Sequence, residues 1–122
     1  MQWIKQPNIP VFIYRDVVTS DMLNTLGEMG INLADKEPLY PVVDFTDVKA
    51  MPRNLMNTVL QSTALMDFLA HKNTRMFVFI SPDTTTRLMI DNVFRNLPVK
   101  IVDTQAEAKH ILLEEIFPHD NE

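Results

Sequence analysis

The chain has 122 residues, 46% of them hydrophobic and 22% charged, which is the composition of one globular domain able to bury a core without metals or disulfides. It has no cysteine, so disulfides, thiolate metal sites and cysteine nucleophiles are excluded, and its net charge of −5 supplies no basic stripe for nucleic acid or an anionic membrane. The N-terminus lacks the apolar segment of a signal peptide and no apolar run approaches the ~20 residues of a membrane span, so a cytoplasmic protein is expected.

Trp3 to Lys5 alternates apolar and polar residues and reads as a short strand. Pro7-Asn8 follows as a turn, and Val11 to Tyr14 is a clearer strand of β-branched and aromatic residues. Together they predict an antiparallel pair at a sheet edge, where Pro7 and Pro10 are tolerated. Thr19, Ser20 and Asp21 are three candidate N-caps for a helix whose Met22, Leu23, Leu26 and Met29 share one face. Gly30 suits a left-handed helix end. After a polar connection, Tyr40 to Phe45 reads as a core strand buried on both faces. Pro52 suits the first turn of the next helix. Leu55, Met56, Val59, Leu60, Thr63, Met66 and Leu69 then recur at helical spacing, predicting one continuous helix from Pro52 to Ala70, roughly 19 residues long. His71-Lys72-Asn73 closes it, with basic groups at the negative end of the dipole and then Asn73, which suits a left-handed cap.

Met76 to Ile80 is an unbroken apolar run and predicts a central strand. Ser81-Pro82-Asp83-Thr84 forms a turn with caps for a helix carrying Leu88, Ile90, Val93, Phe94 and Leu97, which Pro98 ends. Val99 to Val102 is the next strand. Thr104 and Glu107 make a capping-box pattern before a helix with Ala108, Ile111, Leu112 and Ile116 on its buried side. The predicted order is ββαβαβαβα, an α/β fold with one domain over 1–117 and a polar tail over 118–122. Strands alternating with helices imply a mixed sheet with a largely parallel core.

Val42-Val43-Asp44-Phe45-Thr46-Asp47-Val48-Lys49-Ala50-Met51-Pro52-Arg53-Asn54-Leu55 resembles the strand, short loop and long helix of the STAS superfamily, in particular its SpoIIAA-like branch of anti-sigma-factor antagonists. Val99-Lys100-Ile101-Val102-Asp103-Thr104-Gln105-Ala106-Glu107-Ala108 is similar to the strand, Asp-Ser/Thr and Glu-Ala helix start of that branch. The resemblance spans nearly the whole chain and implies a protein-interaction or regulatory domain. In that family a phosphorylated serine at the helix start acts as the switch. The matching positions here are Pro52, Arg53 and Asn54, which have no hydroxyl, so the phospho-switch is absent.

Asp16, Asp44, Asp47, Asp83 and Asp103 all follow predicted strands. In a parallel sheet the last four gather at the carboxyl edge, where α/β proteins bind ligands. A receiver-like pocket for Mg²⁺ is one reading of them. Helix capping explains Asp83 and Asp103 equally well, and Lys100 lies inside its strand rather than at its end. His71, His110 and His119 lack the mutual spacing of a ligand set. Ser62 and Ser81 have no predicted base nearby. Eight methionines are many for this length; Met51, Met56, Met66, Met76 and Met89 fall on or near apolar faces, either as core filler or as an adaptable surface. Phe68 lies off the main stripe of the long helix, where it widens the buried face or meets a second subunit.

These residues predict a non-enzymatic interaction domain, without catalytic, metal-binding or cofactor-binding residues, acting as a homodimer or with a protein partner. Asp44, Asp47, Arg53, Asp83 and Asp103 form its candidate ligand or switch edge, and Met56, Met66 and Phe68 its candidate interaction surface. A small-molecule site, with an apolar ligand as one case, and the Mg²⁺-binding signalling domain are the alternatives.

Overall fold

The computed structural model describes residues 9–95 and 99–117. Nine elements follow one another: β1 (Val11–Val17), α1 (Ser20–Ala34), β2 (Val42–Ala50), α2 (Leu55–Gln61), α3 (Thr63–Ala70), β3 (Phe77–Ile80), α4 (Thr84–Phe94), β4 (Val99–Val102) and α5 (Gln105–Ile116). The strands form one sheet in the order β1-β2-β3-β4, and every neighbouring pair is parallel. The expected N-terminal antiparallel pair is not confirmed. Val11 to Tyr14 lies in β1, which runs parallel to β2, whereas Trp3 to Lys5 and the Pro7-Asn8 turn lie outside the described residues. Leu97, Pro98 and the tail at 118–122 also lie outside them.

Because the sheet order steps in one direction, crossovers of one hand place their helices on one face. Helices α1, α2, α3 and α4 accordingly share a core with Val43, Phe45, Phe77 and Phe79. Helix α5 covers the opposite face, where Ala108 and Leu112 pack with Ile9, Val42, Val78, Ile80 and Val102. The fully buried β3 is thereby sandwiched between helices, which is why its sequence is a continuous apolar run.

Thr19 caps α1: its Oγ1 accepts from Met22 N at 3.2 Å. The helix continues through Gly30 to Ala34, so Gly30 is not a helix end, and neither described glycine has a positive φ. The glycines instead allow α1 to touch α3. A Cβ on Gly27 would lie 2.3 Å from Leu65 N, and one on Gly30 would lie 2.3 Å from Cε2 of Phe68.

The long helix expected from Pro52 to Ala70 is two helices. Pro52 precedes the cap of α2, where Asn54 Oδ1 accepts from Asn57 N at 3.1 Å. Ser62 ends α2 and caps α3, with φ −90° and ψ 97°, outside helical geometry. Its Oγ accepts from Leu65 N at 3.2 Å and donates to Asn24 Oδ1 of α1 at 2.7 Å. A serine favours a cap over a helix interior, and Asn24 supplies the tertiary partner that fixes the choice. His71 ends α3 as expected, in extended geometry; Asn73 does not take the left-handed cap expected of it and instead donates from Nδ2 to Ala34 O at 2.6 Å.

Candidate functional site

The carboxyl ends of the strands bring the predicted acidic residues to one edge but give each a different task. Asp44 lies inside β2, in register with Ile13 of β1 and Ile80 of β3. It is only 5% exposed. Its Oδ1 accepts from Thr46 N at 2.9 Å and from Thr46 Oγ1 at 2.5 Å, while Oδ2 accepts from Gln105 Nε2 at 2.8 Å. A buried carboxylate requires such partners, and here they tie β2 to the first turn of α5.

Asp47 pairs in register with Arg15 beyond a bulge, where β2 carries an extra residue relative to β1. Arg15, Asp16, Thr46, Asp47, Val48 and Lys49 surround an open polar hollow there. Asp16 has φ 59°, the left-handed region that aspartate tolerates better than most residues. Asp83 caps α4: Oδ2 accepts from Thr86 N at 2.9 Å and from Thr86 Oγ1 at 3.0 Å. These bonds, the backbone one first, hold its carboxyl below the ordinary value of 3.8. Asp103 is paired with Arg87, and its N–H donates to Glu107 Oε1 at 2.8 Å. Glu107 N in turn donates to Thr104 Oγ1 at 3.1 Å, so the expected capping pattern forms with Asp103 taking one of its bonds. Arg53 is exposed in the turn before α2.

Among the described residues, no three His, Asp or Glu side chains approach one another closely enough to hold a metal ion. His71 pairs with Asp35 through Nε2 at 2.9 Å, His110 is exposed on α5, and His119 lies outside the described residues. Ser81, at the end of β3, is fully buried and its hydroxyl finds no hydrogen-bond partner among the described residues.

The candidate interaction surface divides. Phe68 is fully buried against Gly30, with its ring edge-on to Phe77 at 5.3 Å, so it cannot meet a second subunit in this conformation. Met66 is half-buried and Met56 is exposed on α2. An apolar surface feature lies elsewhere and has no counterpart among the predicted sites. It is a groove of about 380 Å³ between β1 and α1, lined by Phe12, Ile13, Tyr14, Asp21, Met22, Thr25 and Met29. Burial there raises the Tyr14 phenol above its ordinary 10.0. Beside the groove, β1 is hydrogen-bonded to β2 on one side only among the described residues. Two signals for the groove were present in the sequence: Met29 extends the apolar stripe of α1 beyond what the core uses, and Val11 to Tyr14 is apolar at every position.

Among the described residues no helix is long and apolar enough to cross a membrane. No protein-family model and no curated protein sequence matches the chain.

Proposed function

We propose that this chain is a non-enzymatic, cytoplasmic regulatory domain of the STAS, SpoIIAA-like type that works through protein–protein contact, and that its partner along β1 is a second copy of itself. The parallel core of the sheet and the short turn after β2 are in keeping with the resemblance, whereas the long helix it implies is here two short ones, α2 and α3. With Arg53 in that turn and no hydroxyl beside it, partner choice has to rest on shape and apolar contact instead of phosphorylation.

The observation that carries the reading is the edge of β1, which among the described residues pairs with β2 alone. Val11 to Tyr14 contains no charge, proline or glycine, and the usual devices that protect an edge strand from pairing lie only at its ends, in Pro10, Arg15 and Asp16. Ile13 is 41% exposed beside the groove that Phe12 and Tyr14 line. Two-fold pairing is isologous, so each residue meets its mirror position. With Ile13 on the axis of an antiparallel pair, Phe12 of each copy lies opposite Tyr14 of the other, and Val11 lies opposite Arg15. Cross-strand aromatic pairs of this kind contribute up to about 1 kcal/mol each. The left-handed backbone at Asp16 ends the flat stretch.

Sedimentation velocity across micromolar to high-micromolar concentration tests this. The wild-type chain should associate to a dimer, and Ile13→Lys should be monomeric with an unchanged circular-dichroism spectrum. A wild-type chain that stays monomeric throughout the range rules the pairing out.

A further inference from the structure

The two outer strands of the sheet, β1 and β4, are finished differently. In a parallel strand the N–H and C=O of one residue point to the same side, and successive residues alternate. Ser81 N donates to Val102 O, so the backbone groups of Lys100 and Val102 face β3. Those of Val99 and Ile101 face outward, where among the described residues no strand pairs with them. Arg87 of α4 reaches over this edge. Its Nη2 donates to Ile101 O at 3.3 Å, and its Nη1 pairs with Asp103. Two residues on, the Asp103 N–H is taken by Glu107 Oε1 at 2.8 Å. Strand β4 also has only four residues and carries Lys100, and both short length and charge protect an edge.

Strand β1 has no such cover. Val42 N donates to Pro10 O, so Pro10 and Phe12 face β2 and the backbone groups of Val11 and Ile13 face outward. Among the described residues no side chain bonds to either of them.

The ground beside β4 would otherwise suit an added strand. Arg87, Leu88, Asp91, Val99, Lys100 and Ile101 border an open hollow of about 360 Å³ between α4 and β4, and Leu88 is 66% exposed there. Arg87 thus stands on apolar ground and occupies an outward carbonyl that an incoming strand would need. Its ion pair with Asp103 is partly exposed, and pairs of that kind contribute little to stability. What Arg87 does at this position is cover the edge.

We propose that Arg87 seals the β4 edge, and that the seal limits self-association to a closed pair. The second half rests on the β1 pairing proposed above; the first half does not. A chain with one open edge can pair it only once, so assembly stops at two copies. A chain with two open edges joins on both sides and grows further, whether β4 meets β4 or the β1 of the next copy.

Sedimentation velocity of Arg87→Ala, over the concentrations used for the wild type, tests this. The variant should keep the wild-type circular-dichroism spectrum and form species larger than the dimer, more of them at higher concentration and fewer on dilution. The double variant Ile13→Lys, Arg87→Ala has only the β4 edge open and should go no further than two copies. An Arg87→Ala protein that stays dimeric like the wild type overturns the seal and leaves the β1 pairing standing. A monomeric wild type overturns the β1 pairing; Arg87→Ala should then gain a dimer through β4, and a variant that stays monomeric overturns the seal too. Growth of the double variant beyond two copies would mean that association does not run through the edges, and would also overturn it. Arg87→Gln, which lacks the guanidinium fork, decides between the same outcomes if Arg87→Ala does not fold.

Discussion

Gly30 of α1 lies against the face of α3 at the ring of Phe68, so close that a Cβ on Gly30 would fall 2.3–2.5 Å from three atoms of that ring. The ring cannot retreat freely, because Phe77 meets it edge-on with centroids 5.3 Å apart. Gly30→Ala should therefore destabilise the protein by about 1–3 kcal/mol, the usual cost of overpacking. Adding Phe68→Leu should recover part of the loss, giving a coupling of at least about 0.5 kcal/mol in a double-mutant cycle by urea unfolding. Gly27→Ala should gain nothing from Phe68→Leu, since its clash is with the backbone of Ala64 and Leu65. Additive behaviour of Gly30→Ala and Phe68→Leu would contradict the packing described.

The same contact explains what the sequence could and could not disclose. A glycine near the end of an apolar stripe fits a left-handed cap as well as a helix crossing, and only Phe68, distant in sequence, decides between them. Ser62 is a similar case. Thr63, Met66 and Leu69 preserve helical spacing across it, so periodicity runs straight through a break that Asn24 stabilises from another helix. The strands were easier to read, because apolar runs such as Phe77–Ile80 owe their composition to burial on both faces. Asp83 and Thr104 were legible as caps because capping is local. The groove beside β1 was legible only in its parts, the apolar run Val11 to Tyr14 and the surplus Met29, since nothing in the sequence sets β1 next to α1.

Ser81 is a buried hydroxyl without a partner among the described residues. Leaving such a group unsatisfied costs about 1–3 kcal/mol, whereas removing its oxygen opens very little space. Ser81→Ala should thus be neutral or stabilising by up to about 1 kcal/mol in urea unfolding. A clear loss of stability would mean that the hydroxyl has a partner not identified among the described residues.

Asp83 gives the fold a pH dependence of defined sign. Its carboxyl is held below 3.8 in the folded protein by the Thr86 bonds. The charged form is thus favoured by folding, and the stabilisation is fully present above the unfolded-state value. It is lost as pH falls from about 3.8 through the lower folded-state value. Asp83→Ala should lower the melting temperature at neutral pH, and the difference from wild type should shrink below pH 3.8. A difference that stays constant from neutral pH into that acid range would show that the cap does not depend on the carboxylate charge.

Asp44 distinguishes a structural carboxylate from a ligand for a cation. Both of its oxygens are occupied, Oδ1 by Thr46 and Oδ2 by Gln105, and the nearby Asp103 is engaged by Arg87. A divalent cation would have to displace these bonds before it could coordinate. Millimolar Mg²⁺ should accordingly leave the melting temperature where a control of equal ionic strength leaves it, because only binding to the folded state raises it. Asp44→Ala removes the acceptor of three hydrogen bonds and should cost about 1–3 kcal/mol, since each bond contributes about 0.5–1.5 kcal/mol. Gln105→Ala, which removes one of the three bonds to the carboxylate, should cost less. A Mg²⁺-dependent rise in melting temperature that Asp44→Asn abolishes would reverse the assignment and make this edge a cation site. Equal costs for Asp44→Ala and Gln105→Ala would instead place most of the stabilisation in the single bond between β2 and α5.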